Sequence, residues 1–279
     1  MKQNFGSSQI FLMLTTSFLA SYALSASPSR AATFSSSETY LIFTEFSQSP
    51  SETFTNTIVN PISTSDEGKV EAISDATAFI ETNSPLIINS SFSFANGENT
   101  NYKGLASSKS EIKSVFNIEE NTLFSFNFIA NLTLNAFIDS YPGEYAQASG
   151  ELSFALFDMN QNIKLDFFNA SSSLTTTNND DFVNYHKQGD ITLNNPFATS
   201  DFGGFEESSQ ISVGGFYESY FETQTTLALV AFTSNQIKVS APEPRNGVAL
   251  LFLSSAILLA LKPKRGKKPL LVSRKKLVH

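Results

Sequence analysis

The chain of 279 residues contains no cysteine and no tryptophan, and it contains only two histidines. Without cysteine there is no disulfide, no thiol nucleophile and no sulfur ligand for a metal ion, so stability must come from a large core. His186 is the only histidine besides the final residue, and no G-x-S-x-G sequence accompanies it. A Ser-His-Asp hydrolase therefore has no recognisable signature here. We expect a protein that is not an enzyme.

Basic residues are scarce between residues 33 and 240. This stretch holds 7 of the 18 lysines and arginines but 25 of the 26 acidic residues, so its formal net charge is −18, compared with −8 for the whole chain. Such a surface repels phosphate backbones, which excludes nucleic acid as a partner. It suits solubility outside the cell, binding of cations or contact with neutral glycans.

The first 32 residues have the pattern of a signal peptide. Lys2 supplies the positive charge, the stretch from Ile10 to Leu24 is mostly apolar, and small residues precede Ala31 and Ala32. Cleavage after Ala31 places Ser29 at the −3 position, which suits signal peptidase better than the arginine that cleavage after Ala32 would place there. We therefore predict export, with a permanent N-terminal anchor as the alternative.

A second apolar run, Val248 to Leu261, lies near the C-terminus and contains no charge. As a helix it would be about 21 Å long, which is shorter than the hydrocarbon layer of about 30 Å. Lysine stems at its end can extend it into the interface. The residues that follow form a basic cluster without acids, namely Lys262, Lys264, Arg265, Lys267 and Lys268. Because basic clusters stay in the cytoplasm, we predict a short transmembrane helix with the body outside; a buried core helix is the alternative.

Pro242, Glu243 and Pro244 directly precede this run. The two prolines favour an extended, exposed peptide of the kind that a protease cleft accepts. The triplet, the short apolar span and the basic end together resemble the PEP-CTERM sorting domain of exported bacterial proteins, here residues 241–279. The resemblance implies an exosortase-like processing enzyme as a partner. It also implies transient anchoring in the inner membrane, removal of the tail near the triplet and release to the cell surface.

The remaining residues, 33–240, have the pattern of one all-β domain. From Thr122 to Phe137 apolar residues alternate with polar ones, as in a strand with one buried face. An Asp158–Asn162 turn between two shorter alternating runs predicts a hairpin. Many short strands separated by polar loops indicate a single β-sandwich or jelly-roll-like domain.

Further strands are expected at several places, and polar loops separate them. The expected strands are 40–46, 71–82, 86–94, 111–118, 152–156, 163–167, 221–232 and 236–239, and the expected loops are 47–55, 96–103, 171–181 and 200–204. A short helix is conceivable at Asp180–Gln188.

Acidic residues at two places in the sequence were compared with the requirements of a calcium site. Asp158-x-Asn160-x-Asn162 begins like an EF-hand loop, but Ile163 and Asn169 replace the required glycine and glutamate, so a hairpin turn fits better. A looser calcium site could use Asp180 and Asp181, with Asp201 or Glu206. The adjacent acids are otherwise expected to be solvated, because neighbours on a strand point to opposite faces.

Tyr217 and Tyr220, beside Gly214 and Gly215, form the best candidate for a glycan-binding patch, because most phenylalanines must fill the core. Three functions follow from these observations. The first is a structural or adhesive component of the cell surface or extracellular polysaccharide, with no cofactor. The second is a glycan-binding module assisted by calcium. The third is a polysaccharide-active enzyme, which would need two carboxylates about 5 to 10 Å apart in a cleft.

Overall fold

The part of the chain that the structure describes is built entirely from β-strands. The computed structural model describes residues 32–66, 68–82, 85–139, 143–177 and 180–241. Twelve strands occur in these ranges: β1 (Ala32–Thr44), β2 (Glu52–Ser65), β3 (Lys69–Glu81), β4 (Leu86–Glu98), β5 (Tyr102–Ile118), β6 (Thr122–Phe137), β7 (Tyr145–Asp158), β8 (Ile163–Thr175), β9 (Phe182–Gln188), β10 (Thr192–Asp201), β11 (Glu206–Phe221) and β12 (Thr225–Ala241).

These strands form two antiparallel sheets of six strands each that pack face to face. The order in one sheet, called sheet A, is β10-β11-β6-β1-β4-β3, and the order in the other, sheet B, is β2-β5-β12-β7-β8-β9. The all-β class and the two packed sheets of a sandwich are therefore confirmed. The first and last strands lie inside the sheets, β1 between β6 and β4, and β12 between β5 and β7.

Strand β6 has the bounds that its alternating pattern predicts. Its phenylalanine row faces inward, and its polar row faces outward next to β1 and β11. The ring of Phe126 lies 5.7 Å from that of Phe43, 5.4 Å from that of Tyr217 and 6.1 Å from that of Phe154. Edge-to-face and offset pairs of this kind add to the energy of burial. One half of the interior is thus an aromatic core.

The other half of the interior is polar. Asn235 of β12 accepts a hydrogen bond from the Ser37 hydroxyl at 2.6 Å, and its amide donates to Thr39 and to the hydroxyl of Ser91. Thr233 donates to the side chain of Asn89 in the same region. Buried polar groups need hydrogen-bond partners, and here β12 of sheet B supplies them to Ser37, Ser91 and Asn89 of sheet A. The network therefore fixes how sheet A lies on sheet B.

The expected loops and strand ends need correction at several places. The expected loop 47–55 contains the start of β2, the expected loop 171–181 contains the end of β8, and the expected break between 232 and 236 lies inside β12. The serine, threonine and asparagine residues at these places are typical of loops. They occupy strands here because the polar half of the interior and the outer faces accept them.

Strands β2, β9, β10 and most of β11 were not predicted. Strand β9 corrects the short helix considered for Asp180–Gln188, since Phe182–Gln188 pairs with β8 in an antiparallel ladder. Pairing with a neighbouring strand overrides a weak local preference of this kind. The predicted hairpin of β7 and β8 is confirmed, and the Asp158 carboxylate accepts the backbone N–H groups of Asn160 and Gln161 in its turn.

Within the described ranges, no helix has the length and apolar character needed to cross a membrane. The signal peptide up to residue 31 and the segment 242–279, with its predicted short helix, lie outside the described residues.

Candidate functional site

The sorting motif Pro242, Glu243 and Pro244 and the basic cluster of residues 262–268 lie outside the described residues. The structure shows the strand that directly precedes the motif in the sequence. Strand β12 ends at Ala241, the residue directly before Pro242. At the other end, β1 begins at Ala32, the residue that follows the better of the two signal peptidase sites.

The tyrosine patch predicted at Tyr217 and Tyr220 is not formed. Tyr217 is 1% exposed and stacks on Phe126 in the aromatic core, whereas Tyr220 is 56% exposed. The two residues are three positions apart on β11, so they point to opposite faces of sheet A. Burial raises the pKa of the Tyr217 phenol to about 12. Its hydroxyl is therefore a neutral core group and is not available to a ligand.

Tyr220 instead shares the outer face of sheet A with other exposed side chains. It lies opposite Leu123 of β6, and its hydroxyl donates to the Asn121 side chain at 3.1 Å. Phe216, four residues earlier on the same face of β11, is also exposed. Aromatic faces beside amide groups can stack on sugar rings and hydrogen-bond their hydroxyls. Phe216 and Tyr220 are thus the aromatic surface that β11 offers.

The acidic residues proposed for calcium are divided by the sheets. Asp181 precedes β9, and its carboxylate accepts the Thr175 backbone N–H at 2.6 Å. Asp201, at the end of β10, lies opposite Ser208 and so shares the outer face of sheet A with it. No group of three acidic or histidine side chains suited to a metal ion occurs among the described residues. Asp181 and Asp201 are thus supplied by different sheets, Asp181 before β9 of sheet B and Asp201 at the end of β10 of sheet A.

Glu207 is the carboxylate that meets Asp181. It points inward from β11, is 1% exposed, and accepts the Gly203 N–H at 3.1 Å with one oxygen. The other oxygen, Oε2, is buried without a hydrogen-bond partner. Near it the hydroxyls of Ser172 and Ser209 are 2.7 Å apart, which marks the contact between β8 and β11. Asp181 and Glu207 thus form an acidic pair at one end of the sandwich.

Burial raises the pKa of Glu207 above its ordinary value, and the neighbouring charge of Asp181 raises it further. Burial likewise raises the pKa of Asp181, where the Thr175 N–H acts in the opposite direction and Asp180 adds to the increase. The buried Glu207 carboxyl next to the charge of the half-buried Asp181 favours a bound proton or a bound cation, because either relieves the repulsion between the two groups. Chemically, this pair can hold a proton or help to bind a positive ion.

Glu206 is the predicted alternative ligand, but its neighbour Glu207 is the carboxylate that points inward. Glu206 is exposed and Glu207 is buried, as alternation along a strand requires. From the sequence, the inward direction of Glu207 follows only if Ile211 and Val213 are placed in the core. Glu207 is then an even number of residues away from both and lies on the same face of the strand. That step requires β11 to be recognised as a strand from the sequence, and its two glycines and its serines obscure the strand pattern.

No family model matches the chain, and neither the curated proteins nor the solved structures compared with it include a match. Functional reasoning therefore rests on the residues and on their arrangement.

Proposed function

We propose that this protein is an exported, non-enzymatic component of the bacterial cell surface or extracellular polysaccharide, delivered by signal peptidase and an exosortase-like enzyme. In this proposal the chain is anchored by its short C-terminal helix until cleavage near Pro244 releases the body. The proposal also includes a jelly-roll-like strand order, an N-terminal signal peptide and a short C-terminal transmembrane helix.

One observation carries the proposal most directly. The twelve described strands run from Ala32 to Ala241, and the two predicted processing sites lie before and after these strands in the sequence. A peptide that a protease must bind in extended form has to lie outside a hydrogen-bonded ladder. Pro242 and Pro244 favour such an exposed peptide, because neither has a backbone N–H to donate to a ladder. Cleavage there would leave every strand complete.

The mass of the protein recovered from native cells tests this proposal. We expect a species that begins at Ala32 and ends near Pro244. Replacing Pro242 and Pro244 by alanine should cause retention of the full tail. The same double change at Pro50 and Pro61 is a control that leaves the triplet intact. Recovery of a wild-type species that still ends at His279 would refute processing.

Glycan binding is the second candidate, and Phe216 and Tyr220 favour it. Their rings are exposed on one face, with Asn121 bonded to the tyrosine. A glycan array probed with the wild type and Tyr220→Ala tests it, with Leu123→Ala as the matched control from the same surface. Loss of a signal in Tyr220→Ala alone supports the candidate. An array without any signal opposes it.

Calcium cannot assist that surface directly if it binds at the acidic pair. Glu207 and Tyr220 are both on β11, thirteen residues apart, which corresponds to about 43 Å along a strand. A bound ion would instead join Asp181 before β9 to Glu207 on β11. We therefore expect chelator to change thermal stability without changing glycan binding. A glycan signal that disappears with chelator would contradict this separation.

A further inference from the structure

One oxygen of the Glu207 carboxylate is buried without a hydrogen-bond partner. The side chain is 1% exposed and points inward from the start of β11. Its Oε1 accepts the Gly203 N–H, whereas Oε2 accepts no hydrogen bond from the described part of the chain. A carboxylate oxygen that has lost its water and found no donor is costly. Oε2 therefore lacks a positive partner.

Asp181 brings a second carboxylate to the same place. It directly precedes β9, is half-buried, and accepts the Thr175 N–H with Oδ1 at 2.6 Å. Burial raises the pKa of both carboxyls, the charge of Asp181 raises that of Glu207 further, and the Thr175 N–H lowers both. Because one N–H acts on both groups, the two carboxylates converge at the end of β8.

A neutral oxygen lies beside the two carboxylates. The Ser172 hydroxyl donates its proton to the Phe182 carbonyl at 2.8 Å. In the 2.7 Å contact between Ser172 and Ser209, the donor is therefore Ser209. Ser209 is buried on the same face of β11 as Glu207, two residues further along. Its hydroxyl has used its only proton and can offer just lone pairs to a further partner.

These groups suit a hard cation, and calcium best. All of them are oxygen donors, and the chain has no cysteine to add sulfur. Calcium takes carboxylate, hydroxyl and water oxygens at about 2.3–2.6 Å in flexible geometry, whereas magnesium demands a near-ideal octahedron. The half-buried Asp181 leaves a solvent side for water ligands and for entry of the ion. The net charge of −18 between residues 33 and 240 adds a general attraction for cations.

The location between the sheets gives such an ion a structural role. Since β8 contacts β11, the edge strands β9 of sheet B and β10 of sheet A lie on the same side of the sandwich. Nearly all residues of both strands are exposed, so the facing sheets cover them little. A link from the start of β9 to β11 would hold the two sheets together on this side.

We infer that a calcium ion binds between the carboxylates of Asp181 and Glu207 and so joins the edge of sheet B to sheet A. Two protein carboxylates with water ligands make a weak site, in the range of about 10⁻⁴–10⁻³ M that extracellular calcium modules show. The ion stabilises the folded state, because the unfolded chain does not hold the two carboxylates together. The inference makes the calcium of the second candidate function specific, but it does not depend on glycan binding or on tail processing.

Thermal unfolding of the full chain, purified in detergent and freed of metal, tests the site. Calcium chloride at ten times the expected dissociation constant should raise the wild-type midpoint by several degrees at neutral pH. Glu207→Gln and Asp181→Asn should each lose most of this shift. Glu206→Gln is the matched control, because it removes one charge from the adjacent, exposed side chain on the other face of β11, and it should keep the shift.

A shift that is absent in the wild type, or equal in Glu207→Gln and Glu206→Gln, would overturn the inference. Calorimetric titration with calcium gives a second readout, since one site should be present in the wild type and in Glu206→Gln and absent in Glu207→Gln. If Oε2 holds only a proton, calcium has no specific effect at either position, and this also overturns the inference. Circular dichroism checks that the variants fold, and the half-buried Asp181 keeps the test available should Glu207→Gln not fold. Neither the mass of the processed chain nor the glycan array changes with these results, so the proposals fail separately.

Discussion

Phe126 and Ile129 lie three residues apart on β6 and face opposite sides of sheet A. Phe126 is buried among other aromatic rings, whereas half of the Ile129 side chain is exposed. We expect Phe126→Ala to lower the free energy of unfolding by about 3–5 kcal/mol, because it leaves a cavity in the core. Ile129→Ala should change it by less than about 0.5 kcal/mol. Urea unfolding of both variants measures the difference, and similar midpoints would show that the assigned faces of β6 are wrong.

Glu207 makes stability depend on pH. Its pKa is raised in the folded state by burial and by Asp181, so the folded protein binds more protons than the unfolded one between the unfolded and the folded pKa of this group. The stability associated with its protonated form is complete below the unfolded pKa. It is lost as pH rises through the folded pKa. We therefore expect Glu207→Gln to reduce the loss of stability between acidic and neutral pH.

Glu206→Gln is the matched control for this prediction, because the adjacent side chain is exposed and faces the other side of β11. Thermal unfolding of the two variants and the wild type should be followed from acidic to neutral pH. The profile of Glu206→Gln should parallel that of the wild type. If Glu207→Gln also followed the wild type, the buried carboxylate would not titrate as described.

At the scale of the strands, Asn235 connects β12 to β1 and β4. Asn235→Ala would leave the partner groups of Ser37, Thr39 and Ser91 with fewer bonds. A buried polar group that loses its partner costs about 1–3 kcal/mol. We expect a loss of this size in urea unfolding, whereas the exposed neighbour in Gln236→Ala should have little effect. A small effect of Asn235→Ala would mean that the network does not hold the sheets together.

The polar half of the interior also explains which elements could be predicted. β6 has strict alternation of apolar and polar residues, and its bounds follow from the sequence. The inward face of β4 is Asn89, Ser91 and Ser93, while Phe92 and Phe94 lie on its other face. Binary patterning alone would place these two phenylalanines inside. Their true direction depends on the hydrogen bonds from β5 and β12, which no local pattern contains.

The same limit applies to the candidate sites. The tyrosines near Gly214 were identified as a pair, but the assignment of one to the core and one to the surface depends on the register between β11 and β6. Likewise, the acidic pair joins residues from β11 and the start of β9, whose proximity results from packing between sheets. The sequence indicates which residue types could form each site, but the packing of the strands determines which of these residues come together.

At the scale of the whole molecule, the start of β1 defines the expected N-terminus of the mature protein. Ala32 is buried and pairs with Glu98 of β4. Cleavage after Ala31 leaves this pair intact, whereas cleavage after Ala32 removes it. N-terminal sequencing of the exported protein should therefore give Ala32 as the first residue. A mature chain that begins at Thr33 would contradict this expectation.

The central positions of β1 and β12 determine when the molecule can assemble during biosynthesis. Strand β12 fills the gap between β5 and β7, and β1 packs on it from the facing sheet. Neither sheet B nor the support for β1 is complete until residue 241 has been synthesised. Pairings so distant in sequence are slow to form. A chain released before β12 is made would leave β5 and β7 without the strand that joins them and β1 without its partner on the facing sheet, and quality-control proteases should degrade it.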